Sequence, residues 1–270
     1  FELVPTCLDF GFEEKWGSCY RSKGVCDEEA LTILRNALRG VTRNIVARVP
    51  KDLAAAQQLE LRCVELEQQH GLFADWLRHT LDVCANEGAL HFAHLARAGF
   101  VVAALLKSAV SCGMLSDARR AMLMESIAGV GRMLTDAASE VNKGLQTREA
   151  FIARFGHLRP GTYDISMPAY RDRPELYLDP IIAAGHAPEL SNFEWTAAER
   201  SAISTGLAQL DVGLDADSFL VFARQAVAGR EYAKFVFTRL LSAAIDGLAR
   251  EAKRIGVPSD RLDYMPLAIW

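Results

Sequence analysis

Apolar residues recur along most of this chain every three or four positions, the spacing of one helix face. Leu31, Leu34, Leu38, Val41 and Ile45 mark a helix from about Asp27 to Arg48. Pro50 suits the first turn of a second helix, which Leu53, Leu59, Val64 and Leu66 carry to His70. Phe73, Leu77, Leu81 and Cys84 follow at the same period, and an apolar helix over 89–112 then stops at Gly113. A long helix is predicted from Ser116 to Lys143, closed by Gly144, because glycine enters the left-handed conformation that ends a helix at no steric cost. Thr147 caps a short helix ending near Phe155. Further on, Thr196-x-x-Glu199 is a capping box and Asp215 caps a helix through Val227. Arg230 to Ile255 forms another helix, ended by Gly256 and Pro258.

Between Gly156 and Asn192 the helical pattern fails, and five of the nine prolines (Pro160, Pro168, Pro174, Pro180, Pro188) fall there. Connections longer than ~12–15 residues are usually functional or disordered. This one is rich in Tyr, Ile and Leu, which predicts an ordered, packed excursion. No alternating strand pattern and no internal repeat occurs. The expected fold is all-α: a multi-helix, bundle-like assembly with one long irregular Pro-rich loop. N-terminal helices over 1–87 would pack on a helical middle domain over 88–270, whose functional loop spans 155–192.

Composition narrows the partners. Half of the 270 residues are apolar and 24% are charged, an ordinary soluble balance. The net charge of −4 provides no basic face for phosphate backbones, so no nucleic-acid partner is expected. Six cysteines carry no CxxC pair, and Cys63, Cys84 and Cys112 sit in amphipathic helical patterns. Free thiols in a reducing cytoplasm are the expectation. Arg97 interrupts the apolar helix, and the run from Ala98 to Leu106 falls far short of the ~20 residues that a span needs. A core helix, with no membrane partner, is expected. The chain begins at Phe1 and stops at Trp270 after an apolar run, as a piece of a longer protein would.

Candidate chemistry gathers in Phe155-Gly156-His157-Leu158-Arg159-Pro160-Gly161-Thr162-Tyr163-Asp164. Arg159 precedes proline and is pushed toward extended backbone. Pro160-Gly161 predicts a type II turn with Gly161 at positive φ. His157, Arg159, Tyr163 and Asp164 would then face a ligand; or Arg159 and Asp164 pair while His157 caps a helix end. Spacing leaves both open. Arg97, among Leu95, Ala96, Ala98, Phe100 and Val101, reads as a buried guanidinium that needs a carboxylate such as Asp164, a set of carbonyls or an anionic ligand. On the segment Arg230 to Arg239, residues Arg230, Lys234 and Thr238 share one side, and Glu231 can reach Lys234. That side is either a solvated stripe or a basic strip facing a phosphorylated ligand or a neighbouring domain. His91 and His94, with Glu67-x-x-His70, fall short of a carboxylate-bridged metal pair, which needs a second Glu-x-x-His, so no metal is expected. No P-loop, GxGxxG or nucleophile elbow is present.

The loop Phe155 to Ile165, the segment Leu90 to Phe100 and the segment Arg230 to Ser242 together resemble phosphoenolpyruvate-utilising enzymes related to phosphoenolpyruvate synthase and pyruvate phosphate dikinase. The likeness is to the helical region between their ATP-grasp and mobile-histidine domains. It covers roughly residues 88–265, and the first ~85 match only in being helical. The resemblance implies a module that binds a small-molecule acceptor or links flanking ATP-grasp and mobile-histidine domains. It would not be catalytic alone and would bind no cofactor itself, with ATP and Mg expected for the parent enzyme. It further implies that His157, Arg159, Tyr163, Asp164 and Arg97 line the acceptor side, and that Arg230, Lys234 and Arg239 contact phosphate or a neighbouring domain. The window has no nucleotide site and no phospho-accepting histidine motif, so His157 is not read as the phosphocarrier. The alternative is a scaffold that only orients flanking domains.

Overall fold

A computed structural model describes residues 4–67, 69, 71–185, 191–258 and 261–262. The fold is all-α, and no strand occurs among the described residues. In order come a π-turn Glu13–Gly17 running into α1 (Ser18–Ser22), α2 (Glu28–Glu67) and α3 (Phe73–Val83). A second π-turn, Cys84–Ala89, joins α3 to α4 (Leu90–Ser111), and α5 (Asp117–Glu125), α6 (Val130–Asn142) and α7 (Arg148–Phe155) follow. Then come the short α8 (Pro174–Tyr177) and α9 (Asp179–Ala184), and the longer α10 (Ala197–Leu210) and α11 (Ala216–Arg254).

Several boundaries differ from the pattern reading, each for a local reason. Pro50 does not start a helix; it lies inside the 40-residue α2. Proline removes one backbone bond at a cost of ~3 kcal/mol, but Pro50 is exposed, while Val49 and Asp52 on either side are buried. The break expected after Val227 is likewise absent. Gly229 sits buried inside α11, and burial of Ala226 and Ala233 outweighs the ~1 kcal/mol propensity cost of a glycine. Conversely, the single helix expected over 116–143 is two, parted at 126–129. Gly113, Gly144 and Gly256 take the positive φ expected of helix stops. Thr147, Asp215 and the Thr196–Glu199 box cap as predicted.

The chain forms two compact units, each drawn from three segments. One unit comprises Phe1–Asp52, Ala93–Ala128 and Leu190–Arg230. Its core includes Leu38 and Val49 of α2, Leu95, Val102, Leu105 and Leu106 of α4, Ile203 and Leu207 of α10, and Phe219 of α11. The run Phe73–Ser111 is long and apolar enough to cross a membrane by length and composition alone, yet a full face of α4 is buried in this core. Backbone donors of the N-terminal segment are tied in by Thr42 Oγ1, 3.0 Å from Leu8 N, and Ser108 Oγ, 3.2 Å from Phe10 N. Arg119 forks onto Glu199 at 2.8 and 2.9 Å and lies over the Phe193 ring. Buried Asp52 meets His94 at 3.1 Å and Arg48 at 3.4 Å.

The other unit comprises Leu53–Phe92, Gly129–Glu189 and Glu231–Trp270. Its core joins Leu59, Cys63 and Leu66 of α2, Cys84, Ala137 and Ala138, Phe151 and Phe155 of α7, and Phe235, Val236, Phe237 and Leu240 of α11. The π-turn before α4 approaches α11 so closely that a Cβ on Gly88 would stand 2.4 Å from Phe237 Cβ. All six cysteines are free. Burial pushes the Cys63 and Cys84 thiols up to about 12 and about 11. Cys112, expected inside a helix, is exposed just beyond α4. The Pro-rich segment is ordered over 156–185, whereas Pro188 and His70 lie outside the described residues.

Candidate functional site

The loop after α7 is bound to α11 through two side chains that the sequence singled out. His157 is buried, with Nε2 2.9 Å from the Phe235 carbonyl and Nδ1 3.1 Å from the Arg154 carbonyl at the end of α7. Its ring meets Phe235 edge-on, centroids 4.7 Å apart. Burial lowers its pKa to about 4, with Arg239 and Arg171 acting in the same direction, although the two carbonyls favour the charged ring. At neutral pH the ring is therefore uncharged and donates to one carbonyl at a time. With both nitrogens facing backbone carbonyls, His157 is a helix-end cap and a tether.

Arg159 is also buried. Its Nε donates to Ser242 Oγ at 3.0 Å, Nη1 to Met167 O at 2.6 Å, and Nη2 to Ser242 O at 3.3 Å and to the Asp246 carboxylate. Arg171 donates to the other Asp246 oxygen, so one carboxylate on α11 holds two guanidiniums. The pairing of Arg159 with Asp164 is not formed. Asp164 instead accepts from the Ser166 amide and hydroxyl at 2.8 and 2.6 Å, and these bonds hold its carboxyl below the usual range. Gly161 does not take a positive φ. The turn begins two residues later than expected, closed by Asp164 N donating to Gly161 O at 3.1 Å. Glycine serves close approach here, because a Cβ would stand 2.9 Å from Asp164 Cβ.

Beside this anchor, α11, the loop and Val130 line a half-open pocket of about 240 Å³. Val130, Leu158 and Phe235 give it apolar walls, and His157, Arg159, Thr162, Glu231, Lys234, Thr238 and Ser242 carry its polar groups. The Thr238 hydroxyl is occupied along its own helix, donating to Lys234 O at 2.7 Å. Glu231 does not pair with Lys234. Its Oε2 accepts from Val130 N at 3.0 Å, capping α6, and a Cβ on Gly129 would fall 1.9 Å from that oxygen. This cap is the reason that the helix expected over 116–143 restarts at Val130.

The remaining candidates are not among the residues that line the pocket. Tyr163 is 68% exposed. Arg239 is paired with Glu67 at 2.8 and 2.9 Å. Arg97 belongs to the first unit and is exposed: Leu95, Ala98, Val101 and Val102 carry the buried face of α4 and turn Arg97 away from it. Arg97 is therefore not the buried guanidinium that its apolar neighbours predict. Arg230 also belongs to the first unit, half-buried with its stem near Gly99. Ser242 and Asp246 were not singled out by sequence, although their i, i+4 spacing within the otherwise apolar stretch Leu240–Leu248 is a usable signal.

Compared with protein-family models, with curated proteins and with solved structures, the chain matches none.

Proposed function

We propose that this chain is a helical acceptor-binding and linking module of a multidomain, ATP-dependent phosphotransferase of the phosphoenolpyruvate synthase-like kind. The observation that supports it is convergence. The loop motif supplies His157, Leu158, Arg159 and Thr162, the α11 motif supplies Glu231, Lys234, Phe235, Thr238 and Ser242, and all of them line one pocket. Two segments some 70 residues apart, each carrying the family resemblance, share this cavity. Pockets with apolar walls and a few convergent polar groups are the usual form of small-molecule sites. In this reading His157 and Arg159 position the wall, and Lys234 offers the cation that meets negative charge on the acceptor side.

The scaffold reading keeps one observation of its own: the Arg159–Asp246–Arg171 cluster is fully ion-paired, as a junction that only orients neighbours would be. The two readings part in a protein that carries flanking ATP-grasp and mobile-histidine domains. Lys234→Ala should slow phosphoryl transfer to the acceptor and leave phosphorylation of the mobile histidine by ATP unchanged. Equal losses in both half-reactions, or none in either, with the fold intact, would favour the scaffold. The isolated chain should consume neither ATP nor phosphoenolpyruvate, and turnover by it alone would end the module reading.

A further inference from the structure

One turn apart on α11, Glu231 and Lys234 have the spacing at which helical side chains pair. They remain apart because Glu231 Oε2 is held by the Val130 amide at the start of α6. Gly129 admits the carboxylate at a distance that any side chain would close off. Oε1 of Glu231 accepts no hydrogen bond from the described residues, and the Lys234 ammonium, exposed at the pocket rim, makes no ion pair among them. The pocket therefore presents one acceptor carboxylate oxygen and one cation, held separate beside a hydrocarbon wall of Val130, Leu158 and Phe235. Arg159 cannot take over the anion-binding part, because its donors are spent on Asp246, Ser242 and Met167.

We propose that the pocket binds a small zwitterion on a short apolar body, the chemistry of an apolar α-amino acid. The ammonium donates to Glu231 Oε1, the carboxylate meets Lys234, and the hydrocarbon lies against Phe235, Leu158 and Val130. A lone anion would face the unneutralised Glu231, and a lone cation would face Lys234, so each is disfavoured by the charge that the zwitterion satisfies. The pocket volume of about 240 Å³ lies just below the ~300–1,000 Å³ usual for ligand sites and suits a molecule of this size rather than a nucleotide. This assignment rests on the proposed function only in taking the pocket as a ligand site.

The test is calorimetric titration of the 270-residue chain with leucine, with isocaproate (leucine without its ammonium) and with isoamylamine (leucine without its carboxylate). Leucine should bind at least about tenfold more tightly than either analogue, as each charge-assisted contact implies. Glu231→Gln keeps an acceptor for the Val130 amide and should erase the advantage over isocaproate alone. Lys234→Met should erase the advantage over isoamylamine alone. A merely structural role for either residue would not produce these opposite selectivities. Isocaproate or isoamylamine binding as well as leucine, or leucine binding untouched by both substitutions, would overturn the zwitterion while leaving a pocket ligand of another class. No heat with any of the three would overturn it as well. The half-reactions of the longer protein judge the phosphotransferase reading separately.

Discussion

Removing Asp246 should destabilise the second unit more than removing Arg159, although the two share one ion pair. Asp246→Ala strands the Arg159 guanidinium, whose side chain is 3% exposed, beside the Arg171 cation with no carboxylate left. Leaving one partner of a buried pair uncompensated costs about 3–5 kcal/mol. Arg159→Met keeps an apolar stem in place. It leaves Asp246, 17% exposed, still paired with Arg171. What is lost there is the donors to Ser242 Oγ, Met167 O and Ser242 O, about 1 kcal/mol each, so about 3 kcal/mol at most. The double substitution should cost less than the sum of the singles, because the stranded charge is removed with its partner. Two compact units need not unfold together. The assay is therefore urea titration read by circular dichroism, with hydrogen exchange at the Asp164 and Met167 amides, both bonded within the loop. If Arg159→Met costs as much as Asp246→Ala, or both cost under about 1 kcal/mol, the account of this cluster is wrong.

Three further outcomes follow from the packing. His157 has a folded-state pKa of about 4 against an unfolded value near 6.5. Its contribution is therefore fully present above pH 6.5 and lost as pH falls from 6.5 to 4, on the order of 3 kcal/mol. Urea midpoints across that window should flatten in His157→Gln, and parallel curves for the two proteins would exclude His157 as the source. Gly88→Ala should destabilise by about 1–3 kcal/mol because the new Cβ meets Phe237 Cβ, not a flexible tip; an unchanged melting temperature would mean that α11 yields there freely. Arg97→Ala should stay within about 0.5 kcal/mol of the parent, since the side chain is exposed. A larger loss in thermal unfolding would restore the buried pair that its apolar neighbours suggested.

The fold class and most helix ends were legible because they depend on local chemistry. Thr147, Thr196 with Glu199, and Asp215 cap from within their own turns, and Gly113, Gly144 and Gly256 stop helices through their own backbone. The errors arise where a distant residue intervenes. Glu231 restarts a helix at Val130, 101 positions away, and burial carries α2 through Pro50 and α11 through Gly229. In the candidate site, sequence identified the loop and the α11 segment as special but could not assign roles to their side chains. Arg159 selects Asp246 over the nearer-in-sequence Asp164, and Arg97 turns outward, because pairing follows distance in space and not spacing along the chain.

The sequence by itself determined an all-α chain with an ordered Pro-rich loop, since periodicity, caps and glycine stops act over a few residues. Only the tertiary structure decided that each compact unit is assembled from three separate segments, that His157 and Arg159 anchor the loop to α11, and that Glu231 and Lys234 line one pocket without pairing with each other. Those outcomes depend on which carbonyl, carboxylate or amide packing brings within about 3 Å, a distance that no local pattern encodes.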